Sequence, residues 1–201
     1  MYPYLSTKKE NESRKDHDFY STPEETTRVL LDYLKPILNP NLDVIMEPAC
    51  GEGMMAEVIR RREFKVDATD LYEYEYGHGK WERDFLEMDG VSASWIITNP
   101  PFNLAEEFIT HANILQEKND HGIGFAMLLK SNYWHAKTRL SLFQTITPAV
   151  ILPLTWRPRF NSEQKAPILD MAWNIWTKKD YSEILGGISC KYVPVTKPEI
   201  N

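Results

Sequence analysis

Asp43-Val44-Ile45-Met46-Glu47-Pro48-Ala49-Cys50-Gly51-Glu52-Gly53 begins as a short apolar strand signal, Asp43 to Glu47, and ends in a glycine-bearing turn. A helix pattern over Met54 to Arg61 follows directly. In an α/β sheet such a strand-to-helix turn lies at the carboxyl edge, where ligands bind, and glycines let the backbone approach a ligand with no Cβ in the way. The turn is not a phosphate cradle, because no Gly-Lys-Ser/Thr follows and Glu47 and Glu52 would repel phosphate. It suits a cationic or neutral ligand. Small residues after a strand also serve tight packing alone, so the rest of the chain has to decide.

Outward from this unit the strand and helix signals alternate. Lys65 to Asp70 reads as a second strand, Trp81 to Asp84 as a short third, and Ser94 to Thr98 as an apolar fourth. A helix from about Leu104 to Gln116, a buried strand over Gly122 to Leu129, a helix from about His135 to Thr145 and strands at Ala149 to Leu154 and Met171 to Trp176 complete the series. Upstream, Ser21 or Thr22 as cap, Pro23 in the first turn, Glu24 and Glu25 against the helix dipole and an apolar stripe of Val29, Leu30, Tyr33 and Leu34 predict a helix ending by Pro36. This alternation predicts an α/β, Rossmann-like fold with a seven-stranded, mostly parallel sheet and helices on both faces. Residues 1–18 read as a flexible N-terminal arm, and 19–201 as one domain.

The 201 residues are 42% hydrophobic and 26% charged, enough for one compact core. A net charge of −6 and a pI near 5.4 exclude a protein that grips nucleic acid over its whole surface, so any such contact has to be local. Cys50 and Cys190 make no disulfide framework, no His or Cys spacing suggests a metal, and no apolar run approaches the roughly 20 residues of a membrane span. The expected location is cytoplasmic, with no membrane partner.

Two further features give the turn a chemical meaning. Asp70, at the end of the second strand, stands where such folds place a carboxylate that accepts hydrogen bonds from ribose hydroxyls. A ligand with a ribose and a positive group fits both facts, and S-adenosyl-L-methionine is the common one. Then Asn99-Pro100-Pro101-Phe102 follows the fourth strand without a gap. Two prolines restrict the backbone and hold nearby carbonyls in a fixed direction. An exocyclic base amine is a poor nucleophile, because its lone pair is delocalised into the ring. Acceptors on its two hydrogens let it become more tetrahedral, and the Asn99 side-chain oxygen and Pro100 carbonyl can be those acceptors. Phe102 offers an apolar face for stacking a base.

The sequence resembles the S-adenosylmethionine-dependent N6-adenine DNA methyltransferases, class I enzymes of the amino-group-modifying branch, from Asp18 to about Lys178. Phe19-Tyr20-Ser21-Thr22-Pro23 resembles the cofactor motif that precedes the glycine turn in the family's gamma motif order. The resemblance implies that Tyr20 and Thr22 touch the methionine part of the cofactor, that Glu47 faces its ammonium, and that Pro48, Gly51 and Gly53 line its path. It implies that Asp70 binds the ribose, that Asp84 and Phe85 take the adenine amine and ring face, and that Asn99 lies beside the cofactor. It makes Asn99, Pro100 and Phe102 catalytic, with Pro101 and Phe102 against the substrate, and it points to a bacterial or viral host and a restriction-modification context.

Only 99 residues follow Phe102, so a single domain without a large target-recognition domain is expected. Base selection is expected from the loops Lys130 to Arg139 and Trp156 to Pro167, or from a homodimer or partner subunit. Trp156, Arg157, Arg159 and Phe160 offer aromatics to flank an extruded base and guanidiniums for phosphates, although a basic loop around a buried Trp reads the same way. Tyr72, Tyr74 and Tyr76 are a lid on the ribose pocket or an interface strip. Arg60-Arg61-Arg62 reads as a solvated helix end. The expected reaction is methyl transfer to adenine N6 in DNA. The alternatives are adenine in RNA, a protein glutamine amide, or a non-catalytic cofactor-binding subunit.

Overall fold

The computed structural model describes residues 21–160, 166–178, 181, 184 and 190–198. The strands are β1 (Val44–Glu47), β2 (Lys65–Ala68), β3 (Trp95–Thr98), β4 (Gly124–Lys130), β5 (Val150–Pro153), β6 (Met171–Thr177) and β7 (Lys191–Tyr192). They form one seven-stranded sheet in the order β2-β1-β3-β4-β6-β5-β7. β6 runs antiparallel to both of its neighbours, and every other pairing is parallel.

The helices are α1 (Glu24–Leu34), α2 (Met54–Arg60), α3 (Ala105–Lys118) and α4 (Leu140–Thr145). Side-chain alternation along the strands assigns them to opposite faces. Ile45, Trp95, Ile97, Ala126 and Leu128 point into a core with Leu30 and Leu34 of α1 and Met55 and Ile59 of α2. Their neighbours Met46, Ile96, Phe125, Met127 and Leu129 point the other way, into a core with Phe108, Ile109 and Leu115 of α3 and Leu142 of α4. The expected helices on both faces are therefore present. Among the described residues no helix is long and apolar enough to cross a membrane.

Three expectations need correction. Trp81 to Asp84 is not a strand: the chain makes a single parallel bridge, Lys80 to Thr69, and then Glu82 adopts φ 55°, which breaks an extended backbone. The seventh strand is instead the two-residue β7 beside β5. Pro23, not Ser21 or Thr22, occupies the N-cap of α1. The Arg60 to Arg62 run is not merely solvated, since Arg61 and Arg62 pair at 2.9 and 2.8 Å with Glu24 and Asp32 of α1, and Arg60 donates to the Val66 carbonyl.

Candidate functional site

β1 has β2 on one side and β3 on the other, so the chain reverses its direction of winding between β1 and β3. Connections leaving those two strands go to opposite faces, and a crevice opens at their carboxyl ends. The two motifs singled out from the sequence stand there. Glu47 ends β1 and leads into the glycine turn, and Asn99 follows Thr98, the last residue of β3. The segment before α1 closes on them, because Asn99 Nδ2 donates a 3.2 Å hydrogen bond to Thr22 Oγ1. Thr22, expected against a cofactor, thus also fixes the plane of the Asn99 amide.

The turn is built by its glycines and by Asp70. Gly51 and Gly53 have φ of 50° and 77°, in the left-handed region that side chains disfavour. One oxygen of Asp70 accepts from the Gly51 amide at 2.9 Å and the other from the Tyr72 amide at 3.0 Å, joining the turn to the segment beyond β2. Tyr76 packs over Gly53, where an added Cβ would lie 2.5 Å from its ring. Its hydroxyl donates to Glu57 at 2.8 Å and accepts from Arg60 at 3.2 Å, and burial together with Glu57 pushes its pKa up to about 12. Burial, and next the charge of Asp70, lifts Tyr74 to about 12 as well. Tyr76 therefore covers the turn, while Tyr74 lies close enough to Asp70 to feel its charge.

Glu47 is 3% exposed. The Ala56 amide in the first turn of α2 donates to its carboxylate, supplying one partner for a helix end that Gly53 cannot cap with a side chain. Its Oε2 is buried with no hydrogen-bond partner. Burial first, and Asp70 to a lesser degree, hold its pKa well above the ordinary carboxylate range despite the Ala56 amide. A buried carboxyl oxygen without a partner can accept from a donor that enters beside the glycine turn. The same surroundings push the Cys50 thiol strongly up, by burial and then by Glu47 and Asp70, and the buried side chain packs with Ala56, Ala68 and Tyr76. Pro48 is buried beneath the turn.

The structure does not bring every expected residue to this crevice. Asp84 caps the short 3-10 turn Phe85–Glu87 by accepting from the Leu86 amide at 2.9 Å. The Phe85 ring points inward, 1% exposed, against Phe108 and His111 of α3. Phe160 is likewise 4% exposed and part of the core under α1, so it cannot flank a base in this arrangement. Trp156 packs partly against that same core, Arg157 pairs with Asp170 at 2.8 Å, and Arg159 is exposed. Tyr20 and residues 161–165 of the expected specificity loop lie outside the described residues, as does the arm 1–18.

At Asn99 to Phe102 the backbone turns sharply into the 3-10 segment Phe102–Leu104, and the Pro101 carbonyl accepts from the Leu104 amide. Pro100 is buried, while Pro101 and Phe102 are half-buried. Lys130 adds a contact that sequence reasoning missed. β4 pairs Met127 with Thr98 and runs three residues further, so its last residue overhangs the motif and places Nζ 4.6 Å from the centre of the Phe102 ring. The signal was a lysine ending an otherwise apolar strand, where no packing reason calls for it.

Charge divides along this edge. The segment 71–89 beyond β2 carries Glu73, Glu75, Glu82, Asp84, Glu87 and Asp89 against Lys80 and Arg83. The loops beyond β4 and β5 carry Lys130, Lys137, Arg139, Arg157 and Arg159 with no acid in 130–139 or 155–160. Among the described residues no group of three or more His, Cys, Asp or Glu could hold a metal ion.

No protein-family model and no curated protein sequence matches the chain. Solved structures do. A protein from Listeria monocytogenes, provisionally assigned as a class I S-adenosylmethionine-dependent methyltransferase, superposes with a TM-score of 0.63 at 11% identity, covering 92% of this chain and 68% of that one. The modification subunit of a type I restriction enzyme from Vibrio vulnificus, also a provisional assignment, gives 0.59 at 13% identity over 92% of this chain and 49% of its own. The M protein of the type I restriction enzyme EcoKI gives 0.56 at 15% identity over 81% and 44%. The chain spans about half the length of these two subunits. Such likeness establishes the fold: an α/β Rossmann-like sheet of the kind found in these three proteins.

Proposed function

We propose that the protein binds S-adenosyl-L-methionine and transfers its methyl group to the N6 amine of adenine in DNA. The observation that carries this reading is the meeting of three segments at one crevice, with Thr22 bonded to Asn99 and the Glu47 to Gly53 turn on the adjacent strand end. The residues fit the cofactor: Glu47 offers a buried, unpartnered oxygen to an ammonium, and the Asp70 carboxylate, held by the Gly51 and Tyr72 amides, is the acceptor type that ribose hydroxyls need. Asp84 instead commits one carboxylate oxygen to the Leu86 amide, and Phe85 supports that turn from the core rather than stacking on an adenine ring.

The bound cofactor would supply an electrophilic methyl carbon on a positively charged sulfur. The chain's own residues present the acceptor. Asn99, oriented by Thr22, and the Pro100 carbonyl would accept the two amine hydrogens, and Phe102 would stack the extruded base. No base is needed before attack, since the amine sheds its proton afterwards.

Nucleic acid is favoured over a protein amide by the basic stretches 130–139 and 155–160, which carry Lys130, Lys137, Arg139, Arg157 and Arg159 and no acid. DNA is favoured by the fold shared with two restriction-enzyme modification subunits. On this reading residues 19–201 form one catalytic domain, and sequence selection comes from the 130–139 and 156–167 loops, from a second copy or from a partner subunit. Incubation with methyl-labelled cofactor and separate pools of DNA, RNA and protein tests it. Label in DNA is expected. Label only in RNA or protein overturns the substrate, and cofactor binding without transfer to any pool overturns the enzyme.

A further inference from the structure

We propose that Lys130 is a substrate-positioning residue. It covers the stacking face of Phe102 while no base is bound and, once displaced by the incoming adenine, pairs with the phosphate of the same nucleotide. This rests on the adenine reading of the Asn99 motif and adds a phosphate contact to it.

Phe102 packs partly against the core, and Lys130 is exposed, so the ring face that Lys130 covers is the outward one. A base stacked on a phenyl ring needs the space a few ångströms above it. The Lys130 ammonium, 4.6 Å from the ring centre, stands in that space. Stacking therefore requires the ammonium to move.

The contact it leaves is weak, and the side chain has length to spare. An exposed cation–π contact is among the smaller attractions in a protein, and a lysine stem swings aside by rotamer changes alone. Among the described residues no carboxylate lies within ion-pair distance of Lys130, whereas the nearby Arg157 is already held by Asp170. Ser131 donates its amide to the Asp170 carbonyl, which pins the strand end from which Lys130 projects. The cation thus has a fixed root, a long rotatable stem and, among the described residues, no carboxylate within ion-pair distance, beside the position where the sugar and phosphate of an extruded base would pass. A base that brings no phosphate has to displace the ammonium from the ring without a contact that takes it up.

Equilibrium binding to the intact protein tests this, with deoxyadenosine and a short single-stranded oligodeoxynucleotide containing one adenine as probes. Lys130→Ala is expected to bind deoxyadenosine about two- to fivefold more tightly, the size of an exposed cation–π contact that no longer competes. The same variant is expected to bind the oligonucleotide more weakly at low salt, its slope of log affinity against log salt falling by about 0.7, while Lys130→Arg keeps the slope. Parallel weakening of both probes would mean a structural role and overturn the proposal. So would an unchanged slope. If the wild-type protein binds deoxyadenosine no better than thymidine, the adenine reading itself fails and takes this inference with it.

Discussion

The 3.2 Å bond from Asn99 to Thr22 joins residues 77 positions apart and decides which way a single amide points. Thr22→Val keeps the shape of the side chain and removes the acceptor. It is expected to lower kcat about tenfold with little change in cofactor affinity, and Thr22→Ser to restore it, because orientation of the amide matters only as the amine is attacked. A larger loss of cofactor affinity than of kcat would assign Thr22 to the cofactor instead. Glu47 gives a pH prediction. Its folded-state pKa lies well above the ordinary carboxylate range, so the folded protein holds the proton more tightly than the unfolded chain. The stability this confers is present in acid and is lost as pH rises through the folded-state value. Glu47→Gln should therefore melt at a higher temperature than the wild type near neutral pH, by about 2–4 °C for each kcal/mol relieved, and match it in acid. Cofactor binding to the wild type should release a proton, seen by calorimetry in buffers of different ionisation enthalpy, and Glu47→Gln should abolish that release. Identical melting profiles for the two proteins would contradict the account.

At the scale of elements, the glycine turn and α2 form a unit closed by Tyr76. Gly53→Ala meets both a left-handed backbone and the Tyr76 ring, and is expected to cost about 2–4 kcal/mol in chemical denaturation. Removing the ring as well, in Gly53→Ala with Tyr76→Ala, should return the steric part but not the backbone part. A cost below about 1 kcal/mol in the single variant would show that the turn relaxes freely. Here the limits of the sequence are physical. Trp95 to Thr98 and Gly124 to Leu129 are continuous apolar runs buried on both faces, which only a central strand explains. Trp81 to Asp84 has one apolar residue and a backbone reversal at Glu82, which no pattern signals. Lys191–Tyr192 is a strand only because β5 lies beside it. The placement of Glu47, Asp70 and Asn99 at or just past the carboxyl ends of β1, β2 and β3 was legible because polar residues there close apolar strand runs. Phe85 and Phe160 were not, since an aromatic next to a turn serves a core or a ligand equally well, and only packing against Phe108 or under α1 decides.

For the whole molecule, a net charge of −6 hides a division: acids dominate 71–89 beyond β2, whereas 130–139 beyond β4 and 155–160 beyond β5 carry bases and no acid. The acidic side suits a cationic cofactor and the basic side a phosphate backbone, with the crevice between β1 and β3 where the two meet. The most direct test of that division of labour is mass spectrometry of the nucleosides released from DNA after incubation with the protein and S-adenosyl-L-methionine. N6-methyldeoxyadenosine is expected with the wild type and about 10²–10³-fold less with Asn99→Ala at undiminished cofactor affinity. Absence of the methylated nucleoside from wild-type reactions, or its equal formation by Asn99→Ala, would contradict the account.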